Sequence, residues 1–256
     1  MKSLALIIGT GECNAECSHC AGKIHRKDAP KEDGVITDEL FRKTMRESWE
    51  NGAEYLSLSS SGEPTLSPLT VTKTLEIVAE LAQDGFEFNP INLYSNGIKI
   101  GTDEVFCREY LSLWKKLGLT YIYVTVHEID NKKNARCYGV KEYPALELIC
   151  NRIHDAGLLV RANVVLKKKT IGDLAKFKEA IEYLRKAGFN KISAWPVRTM
   201  DDKLDTKLAP SEEEMNKIEG YGKKNDVRVL RSRKAYQIGD KLTLFQSGVL
   251  SNTWCC

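Results

Sequence analysis

The chain has 256 residues, 42% of them hydrophobic, with 38 Lys and Arg against 35 Asp and Glu and a net charge of +3. That length supports one domain with a sizeable core, and the near-balance of charge gives no overall field for nucleic acid or a membrane surface. No apolar run approaches the roughly 18 residues of a membrane span, and 18 glycines with 7 prolines are too few for a low-complexity chain. Eight cysteines are the outlying number. The start of the chain, one lysine before a short apolar run, carries no cleavage-site pattern of an export signal. A cytoplasmic setting is therefore expected, with the cysteines read as metal or redox groups rather than disulfides.

In chain order, residues 4–9 read as a strand, and a polar cysteine-rich stretch follows. Residues 37–51 read as a helix, with Thr37 as N-cap ahead of Asp38 and Glu39 and Asn51-Gly52 as its stop. Strands are then expected at 55–59, 91–94, 121–126, 160–166 and 191–195, alternating with helices at 67–84, 103–117, 143–156, 172–187 and 211–223. Gly85, Gly118, Gly157 and Gly188 stand where C-cap glycines belong. Six β-α units predict a mostly parallel α/β sheet with right-handed crossovers, too few strands for a closed eight-stranded barrel. The expected architecture is a partial (β/α)6 TIM-like barrel over residues 1–226. A short basic C-terminal extension over 227–256 belongs to the same unit, its strands at 227–230 and 241–245 pairing as a hairpin or covering one barrel end.

Cys13, Cys17 and Cys20 fall within eight residues directly after the first predicted strand, where α/β folds gather their active sites. Thiolates separated by three and then two residues suit an iron–sulfur cube, each binding a different iron and leaving the fourth without a protein ligand. Zinc stays open, since His19 or His25 would complete a four-ligand set. Zinc sites usually come as two separated cysteine pairs, however, and no second pair lies at a suitable distance. Inert buried thiols fit least, because Asn14, Glu16 and Ser18 lie between the cysteines.

Cys13-x3-Cys17-x2-Cys20 after a first strand resembles the signature of the radical S-adenosylmethionine superfamily. Three more segments at predicted strand ends agree with it in order: Ser61-Gly62-Glu63-Pro64, with Ser61 in place of the family's first glycine; Ser95-Asn96-Gly97; and Thr125 in Val124-Thr125-Val126-His127. Each alone reads equally as a turn or strand end; the set and its order give the resemblance its weight. It spans residues 2–197. It implies a [4Fe–4S] cluster on Cys13, Cys17 and Cys20, with S-adenosylmethionine chelating the open iron. Reductive cleavage to a 5′-deoxyadenosyl radical would then abstract hydrogen from an unidentified substrate. By the same resemblance Ser61, Gly62 and Glu63 receive the methionine ammonium through backbone carbonyls and the carboxylate, Ser95, Asn96 and Thr125 meet ribose or carboxylate oxygens, and His19 stacks beside adenine.

Arg161 and Asn163, two apart on the fifth strand, share a face. Facing inward, Asn163 would meet ribose or adenine and Arg161 the methionine carboxylate; otherwise Arg161 ends its strand in solvent. Trp195 closes the sixth strand, offering backbone contacts to adenine or simply packing in the core. Cys107 and Cys150 read as packing residues on helices, and Cys255-Cys256 as an exposed tail. Cys137, in the polar stretch 130–142, is a candidate for covalent or thiyl chemistry at the barrel mouth, against an idle thiol.

Lys167-Lys168-Lys169 and the basic residues between Lys223 and Lys241 read as solvated faces. Were they to converge, they would favour an anionic substrate such as a nucleotide, a phosphate ester or RNA. The partners expected are a one-electron reductant of flavodoxin or ferredoxin type and a small-molecule, nucleotide or protein substrate, with no membrane. The competing reading, from another class, is a zinc-stabilised α/β module that binds RNA.

Overall fold

Alternate residues of each strand serve different faces of one sheet. The computed structural model describes residues 2–199, 203–231 and 241–252. In β5 (Leu159–Leu166), Val160, Ala162, Val164 and Leu166 are fully buried against helices, so Arg161, Asn163 and Val165 point to the opposite face. The same alternation runs through β1 (Ser3–Ile7), β2 (Tyr55–Ser59), β3 (Ile91–Ser95), β4 (Leu119–Val126) and β6 (Lys191–Pro196). A parallel sheet packed on both faces is apolar at nearly every position. Here the inner face carries Ala5, Ser57, Ser59, Thr125 and Asn163, which are too small or too polar to close a packed core. They line a cavity instead.

Helices cover the outer face: α1 (Asp38–Glu50), α2 (Pro68–Gln83), α3 (Ile98–Thr102), α4 (Glu104–Phe106), α5 (Ser112–Lys116), α6 (Asn131–Tyr138), α7 (Leu146–Asp155), α8 (Leu174–Lys186) and α9 (Glu212–Lys224). In α8 the buried set Phe177, Ala180, Ile181 and Leu184 forms one stripe at helical spacing. Each fully buried large apolar side chain of this layer contributes about 1.5–3 kcal/mol. Asp103, Asp130, Asp173 and Ser211 cap their helices by side-chain hydrogen bonds. Thr37 does not: it stands at the N-cap of α1 with no capping bond from its side chain. The predicted helix over 103–117 is broken by a π turn, Cys107–Leu111, between α4 and α5.

Strand order is β7-β6-β5-β4-β3-β2-β1-β8-β9, parallel throughout except for the last pair. The sheet is open, as six units require. The two C-terminal segments do not pair with each other as a hairpin. β7 (Arg228–Val229) pairs with β6, whereas β8 (Lys241–Leu244) pairs with β1 and turns back into β9 (Leu250–Ser251) on the far side. A half-barrel has two edges of unpaired backbone groups, and the tail supplies β7 to one and the β8–β9 pair to the other. Leu244 and Phe245 anchor the β1 side in the core.

Candidate active site

The loop after β1 and the loop after β2 are built as one object. Positive φ at Gly9 (86°) and Gly11 (76°) turns the chain across the C-terminal ends of the strands. Glu63 N then donates to Glu12 O (2.7 Å). A Cβ on Gly62 would run into the carbonyl oxygens of Gly11 and Glu12, so only glycine lets the two loops touch. A 3₁₀ turn, Ala21–Asp28, follows the cysteines, and Gly22 packs directly on the Ser61 carbonyl.

This construction places Cys13, Cys17 and Cys20 on a cavity of about 350 Å³, with Gly62, Glu63 and Asn96 beside them. Glu63 is buried and serves as the knot between β2 and β3. Its Oε1 accepts from Ser95 Oγ (2.8 Å) and Thr65 Oγ1 (2.8 Å), and its Oε2 from Asn96 N (2.7 Å). Burial raises its pKa, and these hydrogen bonds act against that rise. Oε2 takes a single donor, so it keeps acceptor capacity toward the cavity. Asn96 Nδ2 donates to Asn14 Oδ1 (2.7 Å) and lies 3.9 Å from Cys13 Sγ, while the Asn96 carbonyl accepts from Tyr143 (2.7 Å). Burial, followed by the neighbouring Cys20 and Cys13 charges, pushes the Cys17 thiol up to about 12. A thiol raised in this way by burial and by its two neighbours belongs to a donor set short of positive charge, which the iron of a cluster would supply. All six cysteines among the described residues are free thiols.

The far wall is aromatic. His19 meets His127 edge-on at 4.9 Å, His127 meets Tyr138 at 4.7 Å, and Tyr138 stacks on Tyr143 at 5.0 Å. Burial first, then the charges of His19 and Lys167, push the His127 imidazole down to about 3. Burial also lowers the proton affinity of His19, whose Nδ1 is buried with no hydrogen-bond partner. Tyr138 donates to Thr125 O (2.7 Å) and accepts Glu16 N (2.7 Å) on its own carbonyl, fastening α6 to the cysteine loop. Asn163 Oδ1 accepts from Ser193 Oγ (2.7 Å), which leaves its amide hydrogens to donate.

Of the residues singled out from sequence, the three cysteines, His19, Gly62, Glu63, Ser95, Asn96, Thr125, Asn163 and Trp195 line the cavity. Ser61, Arg161 and Cys137 are not among its lining residues. Ser61 is buried with its hydroxyl toward Gln246 Oε1 (3.2 Å), and its carbonyl accepts from Arg26 Nε (3.2 Å). Arg161 is at neither of its expected places: it lies 5.1 Å over the Tyr123 ring and donates to Ser193 Oγ (3.3 Å), below the mouth. Cys137 sits half-buried on α6, where a loop was expected, and burial raises its pKa. His127, Tyr138, Lys241, Thr243 and Asn252 also line the cavity and were missed. Period-two reading past Thr125, and along Lys241-Leu242-Thr243-Leu244, is the signal that finds the first and the two β8 residues.

A zinc site does not assemble. His25 packs on Phe245 (4.7 Å) at a separate small recess, and among the described residues no three His, Cys, Asp or Glu gather about one ion. A cube that takes one thiolate per corner requires no such convergence. Of the described basic residues, Lys168 binds the Thr206 and Lys207 carbonyls and Lys223 pairs with Glu219 (3.2 Å), whereas Lys241 borders the cavity. Cys255, Cys256, Arg233 and Lys234 lie outside the described residues.

The family model described as the radical SAM superfamily matches residues 7–203. The chain belongs to the radical SAM superfamily. Enzymes of this family bind a [4Fe–4S] cluster and S-adenosylmethionine. The GTP 3′,8-cyclase of Haemophilus influenzae (strain PittEE) is 26% identical over 160 residues, 62% of this chain and 43% of that protein. The chain thus spans less than half the length of this curated relative. Streptococcus suis SuiB bound to S-adenosylmethionine shares the fold with a TM-score of 0.68 at 14% identity, over 98% of this chain and 60% of that one. Native anSMEcpe with bound AdoMet gives 0.62 at 14%, over 99% and 74%. No described helix is long and apolar enough to cross a membrane.

Proposed function

We propose that the protein cleaves S-adenosylmethionine reductively at a [4Fe–4S] cluster held by Cys13, Cys17 and Cys20. The observation that carries this reading is one cavity lined by those three thiols, Glu63 and the donors of β3 and β5. When bound, the cluster and S-adenosylmethionine supply an electron and a 5′-deoxyadenosyl radical able to take hydrogen from a substrate. The chain's own residues orient and exclude. Glu63 Oε2 would accept the methionine ammonium, the Asn163 amide would donate to ribose or adenine, and His19 and His127 would form an uncharged aromatic wall beside the cofactor. Tyr138 and Asn96 hold the cysteine loop still. Water is kept from the reacting centre by the aromatic wall and the strands behind it.

The electron comes from a one-electron reductant of flavodoxin or ferredoxin type. By analogy with the cyclase relatives, a nucleotide is one substrate class to screen. Anaerobic reconstitution is expected to give about four irons per chain. It should also give a reduced paramagnetic signal that changes on adding S-adenosylmethionine, and 5′-deoxyadenosine under dithionite. Ser substitution of any one of Cys13, Cys17 and Cys20 should abolish all three. A colourless protein holding stoichiometric zinc would end the reading.

A further inference from the structure

A cation acts on each of the first two cysteines of the motif, and the two cations are held differently. Lys23, acting on Cys17, pairs with Glu16 at 3.5 Å in a partly exposed ion pair. Arg26, acting on Cys13, stands three residues further along the same 3₁₀ turn. Among the described residues no carboxylate lies within ion-pair distance of its guanidinium, so that charge is left over. Glu63 acts on Cys13 in the opposite sense, against negative charge on the sulfur.

Close backbone packing sets the position of Arg26. Gly22 of the turn lies directly on the Ser61 carbonyl, and a Cβ on Gly11 would stand 3.5 Å from Arg26 Cα. Gly11 is two residues before Cys13, and Ser61 immediately precedes Gly62 and Glu63. Arg26 Nε donates to Ser61 O (3.2 Å), which ties the guanidinium to the seam between the cysteine loop and the loop after β2. Beyond that bond, Arg26 Nη2 is buried with no hydrogen-bond partner. A buried donor without an acceptor is uncommon in a folded chain. A cluster seated on Cys13 brings sulfide and thiolate sulfurs, which are acceptors of the kind this donor lacks.

We infer that Arg26 sets the reduction potential of the cluster, its guanidinium stabilising the extra negative charge of the reduced state. The step concerned is uptake of one electron from the external reductant by the oxidised cube, with no bond made or broken in the chain. A fixed positive charge and an N–H available to the sulfurs both favour the reduced form and so raise the midpoint. The 3₁₀ turn thereby does more than close the loop: it brings the cluster within reach of the electron donor. This inference rests on the proposed cluster and goes beyond it, because ligation by three thiols leaves the potential open.

The test is a redox titration of the anaerobically reconstituted full chain without S-adenosylmethionine, following the paramagnetic signal of the reduced cluster. At the wild-type midpoint, Arg26→Met should lower the ratio of reduced to oxidised cluster about tenfold, equal to about 59 mV for one electron. Arg26→Lys, which keeps the charge, should retain most of the wild-type ratio. Lys27→Met, exposed on the same turn, should leave it unchanged. A purely structural role predicts the opposite sign, since a loosened loop admits water, and water favours the more highly charged reduced form. A midpoint unchanged or raised in Arg26→Met overturns the inference, as does a shift in Arg26→Lys equal to that in Arg26→Met. Should Arg26→Met fail to take up iron, Arg26→Gln is titrated in its place with the same expectation. Loss of iron in both makes Arg26 a structural support and overturns the inference as well. Failure of the cofactor reading shows separately, as wild-type protein that takes up no iron.

Discussion

At Gly62 the fold has no room for a methyl group, because two carbonyl oxygens of the cysteine loop lie where a Cβ would go. Gly62→Ala should therefore push the loops apart, lowering stability by about 2–3 kcal/mol and iron content after reconstitution to a minor fraction. Glu63→Gln acts differently. It keeps the shape but sets an amide donor against the donors Asn96 N or Ser95 Oγ and removes the negative charge. Affinity for S-adenosylmethionine should fall roughly tenfold or more, read by the change in the reduced cluster's spectrum on titration, with iron content retained.

His127 gives a pH signature. Its imidazole titrates near 6.5 in the unfolded chain and at about 3 in the fold, where burial and the charges of His19 and Lys167 oppose protonation. Between these values the unfolded chain holds a proton that the folded chain does not. Stability therefore rises with pH across the window and is lost as pH falls from about 6.5 toward 3. His127→Phe, which keeps the ring beside Tyr138, should make the melting temperature fall less steeply between pH 7 and pH 5. An unchanged slope would assign the acid sensitivity to other groups.

Among the elements, α6 decides how firmly the cysteines are held, and it is the one the sequence hides best. Asn131–Tyr138 is almost wholly polar, and its apolar contacts reduce to Ala135 and Tyr138, so no helical period announces it. Its boundaries are set by Asp130, which caps Lys133 N, and by Gly139 in the left-handed region (φ 66°) against Glu16. Gly139→Val combines backbone strain with a collision at Glu16. It should destabilise by about 1–3 kcal/mol and speed iron loss to a chelator, read by absorbance decay. The strands of β2 to β6 were legible because β-branched and aromatic residues alternate there between glycine stops. Their C-terminal ends, and with them Glu63, Ser95, Asn96, Thr125 and Asn163, could be placed before the fold was known. Arg161 was misplaced because period two gives the face of a residue but not its depth in the barrel. Ser61 was misplaced because its orientation is fixed by Gln246, 185 residues away in the chain.

For the molecule as a whole, five right-handed crossovers fix the order from β1 to β6, and local pattern carries that much. It does not say which edge a late strand joins. β7 and β8 are close in sequence yet lie on opposite edges of the sheet, each placed by the edge left open to it. We expect β8 to unfold with the rest. Leu244 is fully buried, so Leu244→Ala should lower stability by about 2–4 kcal/mol while preserving a single transition by calorimetry. Two transitions would mean that the C-terminal strands form a separate unit.

The central claim is that three protein thiols leave one iron corner to S-adenosylmethionine beside Glu63 and Asn96. Electron–nuclear double resonance on the reduced, reconstituted protein loaded with S-adenosylmethionine carrying heavy nitrogen at its methionine amine tests it directly. The account predicts a strong coupling between that nitrogen and the cluster, lost when Cys13, Cys17 or Cys20 is replaced. A fully assembled cluster with no such coupling would contradict it.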